Sequence, residues 1–212
     1  KSKEIFFIYI SSSAVYGKPL SVPVDKDTAL NPLDTYGHSK VKSESFILNM
    51  LEKKSFSIIR PRTILGLNRS GIFDIFFNLI KYRIPLPIPN KGSQQIQFVD
   101  VKDLSRLTIH IAEKAAYGIW PAAGPETKSL KFLLNNLGDN LERKIVILNI
   151  NTFIFKFIGR VLILLNLTNF TSWHFGAFPH DFYFKDSWTP EGFKYEFTSN
   201  EAFENTARKF FE

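Results

Sequence analysis

The sequence predicts an α/β fold built on parallel strands, and three observations support that prediction. Short apolar runs rich in β-branched and aromatic residues recur along the chain, as in EIFFIYI (residues 4–10) and FSIIRP (56–61). Segments with the periodicity of amphipathic helices separate these runs. The order strand, loop, helix, strand forms a βαβ unit, whose two strands pair in parallel through a right-handed crossover. Such an alternation is typical of the α/β class.

The first βαβ unit occupies residues 4–61. Its continuous apolar run at 4–10 predicts a strand that is covered on both faces, as strands of parallel sheets usually are. A loop rich in Pro, Asp and Gly follows over residues 17–32. A helix is predicted from about residue 34 to 54, and its apolar face would carry four residues: Val41, Ile47, Leu48 and Leu51. Pro61 ends the second strand of the unit.

The rest of the chain continues the alternation. A helix is predicted over residues 70–83 with Ser70 as its N-cap, and the proline-rich segment 84–92 is predicted only to end it. A further helix begins at Ser129. The remaining elements are a strand at 96–101, a helix at 102–115, and strands at 118–124 and 144–150. The tetrapeptide TSNE (198–201) predicts a capping box, followed by an amphipathic helix with Phe203, Ala207, Phe210 and Phe211 on one face.

The composition limits the classes of function that the chain can have. Its 212 residues, 44% of them hydrophobic, suffice for one substantial core, or for one core and a lobe. Cysteine is absent, which excludes disulfides and thiolate metal ligands, and the four histidines are too scattered to predict a metal site. The net charge of +7 is spread along the chain, which indicates a solvated surface or attraction to an anionic ligand. No segment resembles a nucleic-acid-binding module.

The strongest candidate for membrane contact is the apolar segment 153–167. Lys156 and Arg160 interrupt it, and it is too short to span a bilayer, so it predicts a core or interfacial helix. No secretory signal with a small-residue cleavage site is apparent. We therefore expect no transmembrane segment and a cytoplasmic location.

Two sequence features predict a site for proton transfer. In YISSSAVYG, Ser11, Ser12 and Ser13 follow the first strand, and ligands of α/β sheets bind beyond the carboxyl ends of strands. The serines could instead cap the strand or begin a turn. Tyr36 and Lys40 lie one turn apart at the start of the next helix. A nearby ammonium lowers the pKa of a tyrosine, ordinarily about 10, and a serine hydroxyl can bind the same substrate oxygen. These groups can move a proton while a hydride leaves or reaches carbon.

Five sequence blocks together resemble the extended short-chain dehydrogenase/reductase family, and within it the NAD-dependent epimerase/dehydratase family that acts on nucleotide sugars. In chain order they are YISSSAVYG, NPLDTYGHSK, IIRPRTILG, QFVDVKDL and AAGPETKSLKFLLNNLG. The resemblance implies the C-terminal part of a Rossmann-type parallel sheet plus a smaller α/β substrate-binding lobe. It also implies NAD or NADP as cofactor, a nucleotide sugar as substrate, and a homodimer of the full-length form.

The resemblance also assigns roles to single residues. Ser12 would be the catalytic hydroxyl, Tyr36 the acid/base, and Lys40 the lysine that hydrogen-bonds the nicotinamide ribose and tunes the tyrosine. The segment 60–63 matches the strand end that borders the nicotinamide. The implied set is thus catalytic Ser12, Tyr36 and Lys40; cofactor-binding Tyr36, Lys40, Arg60 and Pro61; and substrate-binding Ser12, Ser13 and Thr63, without a metal. Thr63 stands where many relatives have an Asn near the substrate phosphate.

The resemblance also bears on the type of reaction. The dehydratase branch of the family has an acidic pair just after the catalytic hydroxyl, and this pair eliminates water. Ser13 and Ala14 occupy these positions here, and an alanine cannot supply a proton. Dehydration is therefore disfavoured, which leaves epimerisation or the interconversion of ketone and alcohol.

One family motif has no counterpart in the sequence. The cofactor turn Gly-x-x-Gly-x-x-Gly is missing, because the 11 glycines never take that spacing. We therefore expect roughly a hundred residues, at about 30 per βαβ unit, to precede the first block in the complete protein. Residues 1–66 would then be the remaining part of the dinucleotide-binding domain. Residues 67–212 would mainly form the substrate-binding lobe, with 96–124 returning to the Rossmann sheet.

Three functions stay open from the sequence. The first is an NAD(P)-dependent nucleotide-sugar epimerase or reductase, present as a C-terminal fragment. The second is a catalytically silent fragment or nucleotide-sugar-binding module. The third, a protein that docks on a membrane surface through residues 153–167, depends only on the apolarity of that segment.

Overall fold

The computed structural model describes residues 5–66, 73–165, 172–185 and 188–211. The predicted N-cap Ser70 lies outside these residues. The described strands are β1 (Phe7–Ile10), β2 (Phe56–Pro61), β3 (Thr63–Leu65), β4 (Leu86–Pro89), β5 (Gln95–Ile96), β6 (Phe98–Asp100), β7 (Gly118–Ala122), β8 (Lys128–Ser129) and β9 (Ile147–Ile150). The described helices are α1 (Thr35–Met50), α2 (Phe73–Lys81), α3 (Val101–Lys114), α4 (Leu130–Asn140), α5 (Thr152–Leu164), α6 (Ser172–Ala177) and α7 (Ser199–Arg208).

A three-stranded parallel sheet with the order β1-β2-β7 positions the site. Ile10 of β1 pairs with Ile59 of β2, so the carboxyl ends of these two strands lie side by side. All six residues of β2 are buried, because this central strand has neighbours on both sides and helices on both faces. Ile58 packs towards Ile47 of α1, and Ile59 packs towards Leu107 of α3. The predicted α/β class and the βαβ unit are confirmed.

The second half of the chain adds three short strand pairs and the largest apolar cluster. β3 pairs with β6 and β4 with β9 in parallel, whereas β5 and β8 are antiparallel. Phe73 packs edge to face against Phe98 and Phe203, with ring centroids 5.1 and 5.3 Å apart. This phenylalanine cluster joins α2, β6 and α7. The domain boundary at residue 66 stays a prediction.

Several predicted helix boundaries are confirmed. The Ser129 hydroxyl caps α4 by accepting a hydrogen bond from the Phe132 N–H at 3.2 Å. At α7, Thr198 and Glu201 form the reciprocal capping box.

Phe155 of α5 is buried in the phenylalanine cluster, whereas Phe153 and Phe157 of this helix are exposed. Among the described residues, no helix has both the length and the apolar character needed to cross a membrane.

The prediction that the first strand is covered on both faces is wrong. Phe7 is 43% exposed and Ile10 is 38% exposed. The physical reason is position, because β1 lies at the edge of the three-stranded sheet, whereas α1 and α3 pack over the central strand β2. The high apolar content of the run therefore indicated a strand but not its burial.

Three further predictions need correction. Leu48 and Leu51 are exposed, because the buried face of α1 carries Glu44 along with Ile47. The predicted strand 96–101 is two short strands with different partners, and Val101 already belongs to α3, whose N-cap is Asp100. The segment predicted only to end a helix forms β4, since β9 supplies a partner from distant sequence.

Candidate active site

The serine-rich stretch forms a tight turn at the carboxyl end of β1. The Ser11 N–H donates to the Ile59 carbonyl at 2.7 Å, which extends the pairing of β1 with β2 by one residue. A single turn of 3₁₀-helix then covers Ser13–Tyr16, and the Ser12 hydroxyl caps it by accepting a hydrogen bond from the Ala14 N–H at 3.1 Å. Capping uses the oxygen as an acceptor. The Ser12 O–H can therefore still donate to a ligand at this strand end.

The N-terminus of α1 packs directly on this turn. Asp34 caps the helix by accepting a hydrogen bond from the Gly37 N–H at 2.8 Å. A Cβ at residue 37 would lie 2.8 Å from the Ala14 carbonyl oxygen and 2.9 Å from the Pro32 Cβ, so only glycine allows this approach. This contact brings the first turn of α1, which carries Tyr36, beside the serine turn.

Lys40 connects the strand end to the proposed acid/base. Its Nζ donates to the Ile10 carbonyl at 3.0 Å. The same Nζ lies 4.8 Å from the centroid of the Tyr9 ring and 5.8 Å from that of Tyr36. Tyr36 itself is 45% exposed, so its ring is open to a ligand. The Lys40 ammonium is thus anchored by a backbone carbonyl and lies near the accessible ring of Tyr36.

A buried ion pair fixes α1 against β2 and the serine turn. Arg60 Nε donates to Glu44 Oε1 at 3.1 Å and Nη2 donates to Glu44 Oε2 at 2.6 Å. Its Nη1 donates to the Tyr16 hydroxyl at 2.6 Å. Burial raises the pKa of Tyr16, against the opposing effect of the Arg60 charge, so this phenol stays neutral and accepts. Because Glu44 lies one helical turn beyond Lys40, the ion pair holds the face of α1 that carries the candidate residues.

The other predicted site residues line the adjacent end of β2. Pro61 pairs with Ala122 of β7, and Thr63 begins β3. Ser13 is buried and its hydroxyl accepts a hydrogen bond from Arg62 Nη1 at 3.2 Å. Three hydrogen bonds to Glu44 and Tyr16 hold the side chain of Arg60, so its backbone is the part that we expect to border the cofactor. The proposed roles of these residues stay predictions.

Sequence reasoning missed three residues of this region, namely Tyr16, Glu44 and Arg62. Glu44 continues the four-residue spacing of Tyr36 and Lys40, and this spacing was the available signal. Arg62 alternates with Arg60 across Pro61, which in a strand places both side chains on the same face. Their partners are distant in sequence and could not be deduced from spacing alone.

Comparison with known proteins identifies the family. The model of the NAD dependent epimerase/dehydratase family matches residues 2–121. The chain belongs to this family. The members of the family that it resembles include nucleotide-sugar epimerases, dehydratases and reductases, so the resemblance stated from the five sequence blocks is confirmed.

Among curated relatives, the uncharacterized protein y4nG of Sinorhizobium fredii is 32% identical over 130 residues, which are 60% of this chain and 33% of that protein. The dTDP-4-dehydro-6-deoxyglucose reductase of Escherichia coli is 31% identical over 147 residues, 65% of this chain and 46% of that protein. The chain therefore spans about a third to a half of the length of these relatives.

A solved structure supports the fold. The UDP-glucuronic acid 4-epimerase from Bacillus cereus, determined in complex with NAD, superimposes with a TM-score of 0.71 and 19% identity. The superposition covers 98% of this chain and 62% of the epimerase. At this identity the likeness concerns the fold alone, and it confirms the predicted Rossmann-type parallel sheet.

Proposed function

We propose that this family member is an NAD(P)-dependent nucleotide-sugar epimerase or reductase whose acid/base is Tyr36. The observation that carries the proposal is the position of Lys40, whose Nζ binds the Ile10 carbonyl at 3.0 Å and lies 5.8 Å from the Tyr36 ring centroid. An ammonium held there stabilises negative charge on the phenolic oxygen while a proton is transferred. Membership of the epimerase/dehydratase family and the similarity to a nucleotide-sugar reductase support the same function.

The residues at this strand end fit the nicotinamide end of the cofactor. The accessible Tyr36 and the anchored Lys40 would hold the nicotinamide ribose, and the backbone of Arg60 and Pro61 would border the ring. When bound, the nicotinamide accepts or supplies the hydride. Hydrogen bonds to Glu44 and Tyr16 hold the Arg60 guanidinium, so we assign the cofactor contact of this residue to its backbone. The nicotinamide end is therefore the part of the cofactor that we assign to these residues.

The substrate would bind against the serine turn. Ser12 keeps its O–H as a donor for the oxygen at the reacting carbon, and Tyr36 transfers the proton at that oxygen. Ser13 and Thr63 would bind neighbouring groups of the sugar nucleotide. Position 14 carries a fully buried alanine and position 13 a serine already bound by Arg62, so neither supplies the acid that elimination of water needs. We therefore propose epimerisation or reduction and not dehydration.

The sequence lacks the cofactor turn, so we do not expect this chain alone to turn over substrate. The proposal is tested by turnover of UDP- and dTDP-linked sugars with NAD or NADP in a protein that includes the cofactor turn expected upstream. Tyr36→Phe removes the proton-transferring hydroxyl but keeps the ring, so we expect kcat to fall by about 10²- to 10⁴-fold. The affinity for the cofactor should stay within about twofold. Lys40→Ala should lower both, because the charge and the ribose contact are lost together.

The matched control for this test is Tyr82→Phe, since Tyr82 is exposed and lies outside the site. It should leave both kcat and cofactor affinity unchanged. Equal losses of cofactor affinity in the Tyr36 and Lys40 variants would contradict the roles proposed for them. Tight binding of a nucleotide sugar without any turnover would favour the alternative, a silent binding module.

A further inference from the structure

We propose that Arg62 binds an anionic group of the substrate at the serine turn, which rests on the proposed nucleotide-sugar function. Arg62 follows β2 directly, and its N–H donates to the Ala122 carbonyl at 2.9 Å. The residue is only 8% exposed. It therefore presents a positive charge at the carboxyl end of the central strand, where ligands of parallel sheets bind.

The contacts of the Arg62 side chain leave part of its guanidinium unused. Nη1 donates to the Ser13 hydroxyl at 3.2 Å, and the guanidinium carbon lies 3.9 Å from the centroid of the Phe182 ring. This distance places the Arg62 charge in cation–π contact with the ring. Nε is buried and has no hydrogen-bond partner. The donors still available lie in the plane of the group, which is where a planar oxyanion binds.

No counter-charge compensates Arg62 within the part of the chain that the structure describes, where no carboxylate forms an ion pair with it. Burial accordingly lowers the pKa of Arg62 to about 9. A buried cation without an anion is costly, and a protein that retains one commonly uses it to bind a charged ligand. The cost is recovered when the ligand supplies the missing negative charge.

Arg60 shows which geometry the ligand would adopt. Arg60 also uses Nη1 for a hydroxyl, that of Tyr16, and it uses Nε and Nη2 for the two carboxylate oxygens of Glu44. Arg62 repeats the hydroxyl contact through Ser13, but the corresponding Nε has no carboxylate. We infer that a carboxylate or phosphate of the ligand takes the place that Glu44 has at Arg60.

Two groups of a nucleotide sugar have this chemistry, the diphosphate and a carboxylate on the sugar ring. Because Ser13 adjoins the proposed catalytic Ser12, Arg62 lies at the end of the site where the sugar would react. The two sources are separated by comparing UDP-glucose, which has only the diphosphate, with UDP-glucuronate, which has both groups. Inorganic pyrophosphate and free glucuronate serve as probes that do not require recognition of the nucleoside.

The first test is thermal unfolding with and without pyrophosphate or glucuronate, against sodium chloride at matched ionic strength. At least one oxyanion should raise the unfolding midpoint of the wild-type protein but not that of Arg62→Met. Without ligand, Arg62→Met should unfold at the wild-type temperature or above it, because an uncompensated buried charge is removed. The control Arg208→Met removes an exposed charge and should keep the oxyanion response.

The second test is calorimetric titration with the two nucleotide sugars. Arg62→Met should weaken binding of at least one of them by about 30-fold or more, the loss expected when one partner of a buried charge pair is removed. Equal losses for both would assign Arg62 to the diphosphate, and a loss for UDP-glucuronate alone would assign it to the carboxylate. Arg62→Lys keeps the charge without the planar fork and should lose part of this affinity.

An oxyanion response that is absent from the wild-type protein, or unchanged in Arg62→Met, would overturn the proposal. If Arg62→Met does not fold, Arg62→Lys decides, since full wild-type affinity in that variant would also overturn it. Both measurements are independent of turnover. Binding that depends on Arg62, without turnover in a protein that includes the cofactor turn, would contradict the proposed function alone. Turnover with affinity independent of Arg62 would contradict this inference alone.

Discussion

Arg60 and Arg62 leave the end of the same strand two residues apart and both are buried, yet their surroundings differ in one respect. Arg60 has a carboxylate partner in Glu44, with Nη2 and Oε2 2.6 Å apart, and a hydroxyl partner in Tyr16. Arg62 has a hydroxyl partner in Ser13 and an aromatic partner in Phe182, but among the described residues it has no carboxylate. Among the described residues, Arg60 is therefore neutralised by Glu44, whereas Arg62 has no carboxylate partner.

The difference separates a structural role from a binding role. The pair of Arg60 and Glu44 joins β2 to the helix that carries Tyr36 and Lys40, so it sets the position of the candidate catalytic residues. Arg62 contributes no such connection through an ion pair, and its contact with Ser13 lies at the proposed substrate-binding end. Breaking the first arrangement should cost stability, whereas changing Arg62 should cost ligand affinity.

The largest loss of stability is expected when Arg60 loses its carboxylate partner, as this makes its surroundings resemble those of Arg62. Glu44→Gln removes the counter-charge while keeping the shape of the side chain. We expect the free energy of unfolding in urea to fall by about 3–5 kcal/mol, because one partner of a buried pair is left uncompensated. The control Glu52→Gln alters an exposed carboxylate and should change it by less than about 0.5 kcal/mol.

A double variant sharpens this prediction. Replacing both partners, as in Glu44→Leu with Arg60→Leu, removes the two buried charges together and should recover most of the lost stability. Helix α1, which carries Tyr36 and Lys40, would nevertheless lose the contact that fixes its position, so turnover should stay below that of the wild type. A stable Glu44→Gln protein would show that Arg60 does not need its counter-charge, and the comparison with Arg62 would fail.

A smaller effect is expected from the hydroxyl partner of Arg60. Tyr16→Phe keeps the buried ring but removes the acceptor of the 2.6 Å hydrogen bond from Nη1. One N–H of the guanidinium is then buried without a partner, which should lower the free energy of unfolding by about 1–2 kcal/mol. Denaturant unfolding measures it, with the exposed Tyr82→Phe as the control. A loss as large as that of Glu44→Gln would mean that the hydroxyl stabilises Arg60 as much as the carboxylate does.

Local sequence patterns predicted part of the fold well. The bounds of β2 match the run 56–61, because a strand buried on both faces is mostly apolar, although β2 also buries Ser57 and Arg60. The capping box at Thr198 could also be predicted, since its partners are three residues apart. The buried face of α1 could not be predicted, because it contains Glu44, which a count of apolar residues assigns to the solvent side. The strand β4 was missed because only its pairing with the distant β9 makes it a strand.

Contacts between residues distant in sequence also limited the prediction of the candidate site. Ser12, Tyr36 and Lys40 could be proposed from spacing, since each lies at the end or the beginning of a predictable element. The roles of Glu44 and Arg62 depend on contacts with Arg60, Ser13 and Phe182, which are 16 to 120 residues away along the chain. A charged residue in a sequence does not show whether its counter-charge lies within the fold. Only the three-dimensional arrangement distinguishes Arg60 from Arg62.

The smallest loss of stability is expected at Glu201, whose charge is compensated by hydrogen bonds but exposed to solvent. At the start of α7 the Glu201 carboxylate accepts hydrogen bonds from the Thr198 N–H at 2.8 Å and from its hydroxyl at 2.9 Å. These bonds lower the pKa of Glu201. Glu201→Gln should cost less than about 1 kcal/mol at neutral pH, because the carboxylate is exposed to solvent.

The pH dependence of this loss identifies its cause. A lowered pKa in the folded state means that the contribution of Glu201 is complete above the pKa of an unfolded glutamate, near pH 4, and disappears as the pH falls through the folded-state value. The difference in unfolding free energy between wild type and Glu201→Gln should therefore be constant from neutral pH down to about pH 5 and shrink below it. The control Glu113→Gln alters an exposed glutamate without a capping role, and its difference in unfolding free energy from the wild type should not shrink in this way. A difference that persists into strong acid would mean that the carboxylate acts through its shape and not its charge. Charge compensation would then explain the buried pair but not the exposed one.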